Sequence, residues 1–174
     1  MVLRRLSIEV EFTLADKSDE QQYSDILKRH EIPRGIPISV TFYVTNLDSL
    51  PYSIYVEKIS TILIEPNSGK PFVILNVKPI GAGDIFPEQK IVLHKTTIRM
   101  PFEGNAEFEC ILKPYNSEDE IEYFMDNGNQ FLGTKSWTKP FKVVSPEQSE
   151  IIKLLKEILN NTRILIDKLS PSLS

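Results

Sequence analysis

LSIEVEFTL, residues 6–14, is the stretch on which the fold turns. Leu6, Ile8, Val10, Phe12 and Leu14 share one parity with Val2 and Arg4, while Arg5, Ser7, Glu9, Glu11 and Thr13 share the other. A strand sends successive side chains to opposite faces, so this pattern predicts a strand with one dry face. The same period of two returns in ISVTFYVTN, residues 38–46, where Val40, Phe42 and Val44 oppose Ser39, Thr41, Tyr43 and Thr45. Residues from Asn46 to Pro51 supply the turn that follows.

Between these two strands the period changes. Ser18 with Gln21 has the spacing of a capping box, and Tyr23, Ile26, Leu27 and His30 recur at helical intervals, which predicts a short helical excursion near residues 18–30, before Pro33. Downstream, Ser53 to Glu65 is apolar on both faces, as a central strand would be, and Pro66-Asn67-Ser68-Gly69 breaks it. Further strands are expected at Phe72 to Val77, Lys90 to Arg99 and Glu107 to Lys113, with an edge strand at Phe141 to Val144. KPIGAGDIFPEQ, residues 78–89, reads as loop, and Asp126-Asn127-Gly128 as a hairpin turn. About seven strands with almost no helix between them argue against a parallel βαβ fold. The predicted class is mainly β: a two-sheet antiparallel immunoglobulin-like β-sandwich over residues 1–144, with a C-terminal amphipathic α-helix over residues 145–170.

PRGIPISVTFYVTN, residues 33–46, and IFPEQKIVLHKTTIRMP, residues 85–101, carry a family likeness. A Pro/Gly turn leads into V-x-F-x-V-x-N, here Val40, Phe42, Val44 and Asn46, and the turn Phe86-Pro87-Glu88-Gln89 precedes a later strand. Over roughly residues 34–113 the chain resembles immunoglobulin-like accessory domains of the cell-adhesion-related type found in archaea and bacteria. In those domains the second turn is Pro-Gly-Glu-like, and its glycine is missing here. Arrestin-like sandwiches contain similar phrases. The resemblance implies binding or assembly and names no ligand.

Composition narrows the classes. The 174 residues suit one domain with an appendage, and 41 % hydrophobic content is enough for a sizeable core. A formal charge of −4 and the lack of a long basic run give no footprint for nucleic acid. Cys110 is the one cysteine, so no intrachain disulfide is available, and its parity with Phe108 and Leu112 predicts a buried thiol. The first residues are interrupted by Glu9 and Glu11 before any apolar run of signal-peptide length, and no apolar stretch reaches the roughly 18 residues of a membrane span. The expected location is cytoplasmic.

Chemistry is sparse. His30 and His94 lack a paired ligand motif, so no metal is expected and no cofactor is implied. The acidic cluster of Glu118, Asp119, Glu120, Glu122 and Asp126 lacks the order of an EF-hand and reads as solvated surface. Tyr43, Tyr55 and Trp137, the last between lysines in TKSWTKPF, are the candidate ligand-binding aromatics of a carbohydrate- or polymer-binding module. Asn160-Asn161-Thr162 matches a glycosylation acceptor but falls within a predicted helix. No residue is nominated as catalytic, and the chain is read as non-enzymatic.

The terminal helix is the most functional-looking element. Ser145 is placed to cap it through the amide of Gln148, Pro146 suits its first position, Glu147 suits its positive end, and Pro171 closes it. Ile151, Leu155, Ile158, Thr162, Leu165 and Leu169 recur at a 4-3 spacing, a heptad seam, and Ile152, Leu159 and Ile166 form a companion stripe, with Leu154 extending the first turn. Lys153, Lys156, Arg163 and Lys168 mix with Glu150, Glu157 and Asp167 on the polar face, without the cationic bias of a membrane-surface helix. Two uses fit this surface: docking on the chain's own sandwich, or self-association and protein partnering. The expected interaction residues are Ile151, Ile152, Leu155, Ile158, Leu159, Leu165, Ile166 and Leu169. The leading function is a structural or protein-interaction module that self-assembles through this helix.

Overall fold

The alternation at residues 6–14 becomes one edge-to-edge ladder: Leu6 pairs with Asn46, Val10 with Phe42 and Leu14 with Ile38 in antiparallel register. The computed structural model describes residues 2–115, 119–126, 129–132 and 136–170. Along them the chain runs from β1 (Val2–Leu14) through α1 (Glu20–Lys28), β2 (Glu31–Pro33), β3 (Ile38–Asn46), β4 (Tyr52–Ile64), β5 (Pro71–Val77), β6 (Ile80–Ile85), β7 (Lys90–Ile98), β8 (Gly104–Pro114), β9 (Asp119–Asp126), β10 (Asn129–Leu132) and β11 (Ser136–Val144) to α2 (Pro146–Leu169). One sheet has the order β10-β9-β1-β3-β7, the other β2-β11-β8-β4-β5, with β6 also pairing β4. The fold is an immunoglobulin-like β-sandwich followed by a helix.

The dry faces meet between the sheets. Leu6, Ile8, Val40, Phe42 and Val44 from one sheet and Ile54, Val56, Ile59, Leu63, Phe108 and Leu112 from the other are sealed from water. Cys110 lies among them, and burial pushes its thiol pKa well above the usual range. Arg4 shares the inward parity, and its guanidinium sits 4.9 Å from the centre of the Tyr52 ring.

Several elements depart from the sequence expectations. Two pairings are parallel, β1 with β9 and β2 with β11. Parallel neighbours need a long crossover, and the intervening chain in both cases is a large part of the sandwich itself. Residues 80–85, expected as loop, form β6 against the first half of β4. The last residues of β11, expected as an edge, are covered on their outer side, because β2 pairs with Lys142–Val144. α1 starts after a 3-10 turn at Lys17–Asp19, where the Ser18 amide donates to Asp16 Oδ1 at 2.9 Å; Asp16 therefore organises the entry to the helix. Residues 127–128 of the hairpin turn lie outside the described residues, although β9 and β10 on either side pair antiparallel.

Asn46 ties the two ends of this arrangement together. Its buried side chain donates to the carbonyls of Leu50 at 2.8 Å and Ile85 at 2.9 Å, and its Oδ1 accepts from the Asp48 amide at 2.9 Å. Its backbone carbonyl accepts from Glu88 at 2.9 Å. The turn after β3 is thus bonded to the turn before β7. Glu88 takes a φ of 59°, the left-handed region that glycine adopts most easily. Gly104 at the start of β8 is required for another reason: a Cβ there would lie 2.5 Å from the Ile64 carbonyl oxygen.

Two outcomes are expected in urea denaturation. Asn46→Ala leaves two carbonyls and one amide without their partner, and should destabilise the fold by about 2–4 kcal/mol. Glu88→Gly relieves the left-handed strain and should stabilise by up to about 1 kcal/mol.

Candidate interaction surface

α2 leaves the sandwich at Ser145, which is buried although its neighbours along the helix are not. Pro146 occupies the first turn with a φ already suited to helix. The expected cap at Gln148 is not formed. The Ser145 hydroxyl instead donates to the Glu147 carboxylate and makes no capping bond to a backbone amide. That hydroxyl holds the Glu147 carboxyl below its usual pKa, and the Arg34 guanidinium adds to the effect. Arg34 lies 3.4 Å from Glu147 and 3.9 Å from Glu103, so the base of the helix is tied to the residue after β2 and, through it, to the residue before β8. At its far end the Ser170 amide donates to the Ile166 carbonyl. Pro171 lies outside the described residues.

Among the described residues the helix beyond its base faces only α1, across an open cleft, and its apolar arc stays exposed. Ile151 and Ile152 are 56 % and 52 % exposed, Ile158 and Leu159 60 % and 68 %, and Leu165, Ile166 and Leu169 59–61 %. Leu155 is similarly open, and so is Leu154. At about 100° per residue, Leu154 and Ile152 bound an arc of roughly 160° that contains every one of the expected interaction residues. Thr162 falls inside this arc, but its hydroxyl donates to the Ile158 carbonyl at 2.8 Å, so the polar group is spent within the helix.

The direction of the arc decides what it can do. α2 approaches its own chain at α1, where Lys153 Nζ lies 4.0 Å from Asp25 Oδ2. Lys153 is about 180° around the helix from Thr162, the middle of the seam. α2 therefore turns to α1 the side that carries Lys153, with Ile152 and Leu154 at its flanks and Ile164 beside it, and turns the middle of its apolar arc away. The docking reading, in which the arc completes the chain's own core, is not the arrangement observed.

The candidate ligand-binding aromatics do not come together. Trp137 is fully buried and pairs across β11 and β8 with Cys110, so its ring is core rather than binding platform. Tyr43 lies on the β3 sheet under Lys90 at 4.4 Å, while Tyr55 lies on the β4 sheet edge-on to Tyr115 at 6.1 Å. The strip that a polymer would need is not assembled from these three. The side chains of the acidic cluster at residues 118–126 lie outside the described residues. Among the described residues no three His, Cys, Asp or Glu side chains converge as a metal site, and no helix is long and apolar enough to cross a membrane. Sequence reasoning missed a second exposed apolar group, Phe72 and Val73 on β5, with Phe102 edge-on to Phe72 at 5.4 Å. Only the position of β5 at a sheet edge reveals it.

No protein-family model and no curated protein matches the sequence. Among solved structures the chain is similar to the CARDB domain of a Pyrococcus furiosus protein, crystallised in complex with di-metal ions, at 12 % identity over 83 % of this chain and 93 % of that one, with a TM-score of 0.42. A Bordetella pertussis structure assigned to ApaA is similar at 12 % identity over 84 % and 98 % of the two chains, with a TM-score of 0.45. Part of the Escherichia coli alpha-2-macroglobulin, at 13 % identity, covers 81 % of this chain and 17 % of that one, with a TM-score of 0.41. The resemblance to immunoglobulin-like accessory domains is a distant one.

Because the arc faces away from the sandwich, Leu159→Asp should change sandwich stability by less than about 0.5 kcal/mol. The measurement is urea unfolding of dilute, monomeric protein followed by the fluorescence of buried Trp137. A loss of several kcal/mol would mean that Leu159 packs on its own domain.

Proposed function

We propose that this chain is a non-enzymatic interaction module that assembles with copies of itself through α2. The observation that carries the reading is the orientation of the helix. Its Lys153 side meets α1, while nine apolar side chains from Ile151 to Leu169 remain more than half exposed. Covering each would contribute on the order of 1 kcal/mol or more, a large sum beside the usual margin of folding. The sandwich core is closed without them, so residues 1–144 form a separable domain and residues 145–170 its association element. Cytoplasmic residence belongs to the same reading, supported by a single buried cysteine that offers no intrachain bridge. The polymer-binding alternative has no comparable support, since Trp137 is core.

A chain ending at Ser145 tests this directly. Light scattering should give the full chain a mass above 19.9 kDa and the shortened chain a monomer mass, with the β signal in circular dichroism unchanged. A full chain that is monomeric at high concentration overturns self-association and leaves a different protein as the partner. A shortened chain that loses its β signal overturns the separability of the helix.

A further inference from the structure

We infer that α2 assembles as a parallel ring of three or more helices, one from each copy of this chain; this rests on the self-association proposed above. The 4-3 spacing places Ile151, Ile158 and Leu165 at the d positions of a heptad and Leu155, Thr162 and Leu169 at the a positions. Two-stranded parallel coils favour β-branched residues at a and Leu at d, whereas Leu at a with Ile at d shifts the preference to three or four strands. Here a carries Leu155 and Leu169, and d begins with two isoleucines.

The companion stripe argues the same way. Ile152, Leu159 and Ile166 all fall at e, and they are 52 %, 68 % and 60 % exposed. In a two-stranded coil e sits at the rim and stays wet. A bundle of three or more helices widens the buried sector of each and takes in this third stripe.

Charge selects the orientation. Lys156 and Arg163 are at b, on the flank beside e, and Glu157 is at c, on the flank beside g. In a parallel ring the e side of one helix faces the g side of the next, so Lys156 and Arg163 meet a neighbour's Glu157. An antiparallel pair brings e against e and b against b, and therefore sets Lys156 and Arg163 against the same two cations. Like charges in contact oppose that arrangement.

The sandwich fits outside such a ring. Lys153, which pairs with Asp25 of α1, is at f, the outermost position of any bundle. Each copy can hang its sandwich on the outside of the ring, near the Pro146 end, while the helix runs on for about 36 Å. The contacts already made between α1 and α2 need not break.

Two measurements test the ring. Sedimentation equilibrium of the full chain should give three or four times 19.9 kDa. A limiting mass of twice that value overturns the ring while leaving self-association intact; a monomer overturns both. For orientation, the double variant Lys156→Glu with Arg163→Glu should raise the dissociation constant roughly tenfold at low salt, and adding Glu157→Lys should restore it. In an antiparallel assembly the double variant exchanges one like-charged contact for another, and Glu157→Lys brings no rescue. That result overturns the parallel arrangement. All these positions are exposed, and circular dichroism verifies that the sandwich is retained in each variant.

Discussion

Phe108 is the contact on which both sheets depend. It projects from β8 into the space between the layers, with its ring 5.1 Å from Phe141 of its own sheet and 5.3 and 6.1 Å from Phe12 and Phe42 of the other. Phe12 and Phe141 close the group at 4.7 Å, edge to face. Tilted and edge-on rings at these distances add to the burial of their area. The cluster also fixes parity. A one-residue slip of β1 against β3 would turn Phe12 to water and bring Glu11 or Thr13 to the cluster. The alternation at residues 6–14 is thus held from both sides, by its ladder to β3 and by the rings opposite.

What the sequence made legible follows from the range of each signal. Alternation is local, and the strands at residues 6–14, 38–46 and 52–64 are where the period of two or the continuous apolar run put them. The partners of those strands are not local. Nothing in residues 2–7 announces a parallel neighbour at residues 119–125, because a parallel pair leaves no turn signature. β6 escaped notice because Gly81 and Gly83 read as loop, although a glycine-containing strand can pair where the ladder is irregular, as it is between Ile54 and Tyr55. Trp137 was misleading for a related reason: Lys139, which flanks it in sequence, shares its face of β11, and there Trp137 is sealed in the core while Lys139 lies half-buried with its Nζ 5.5 Å from the centre of the Phe141 ring.

The site divides in the same way. The stripes of α2 could be read directly, residue by residue, because helical period is a local property. Whether anything covers them is a long-range fact that periodicity does not contain. The structure supplies it through one polar contact, Lys153 with Asp25, on the side opposite the seam. The capping expectation shows the reverse case. Ser145 and Glu147 were the right residues, but they bond to each other, and Arg34, distant in sequence, completes the group.

The openness of α2 also bears on how it holds its own shape. Most helical stability in proteins comes from burying an amphipathic face rather than from helix propensity. α2 has a good first turn, but its seam is rich in isoleucine, a weaker helix former than leucine or alanine. The sandwich lends it only the base around Ser145 and the contact at α1. The apolar arc is a further source of stability that no described part of the chain draws on. In the self-association proposed above, folding of the distal turns and association are one equilibrium: each neighbour that covers the arc also holds the helix straight, and each straightened helix presents a continuous seam to the next.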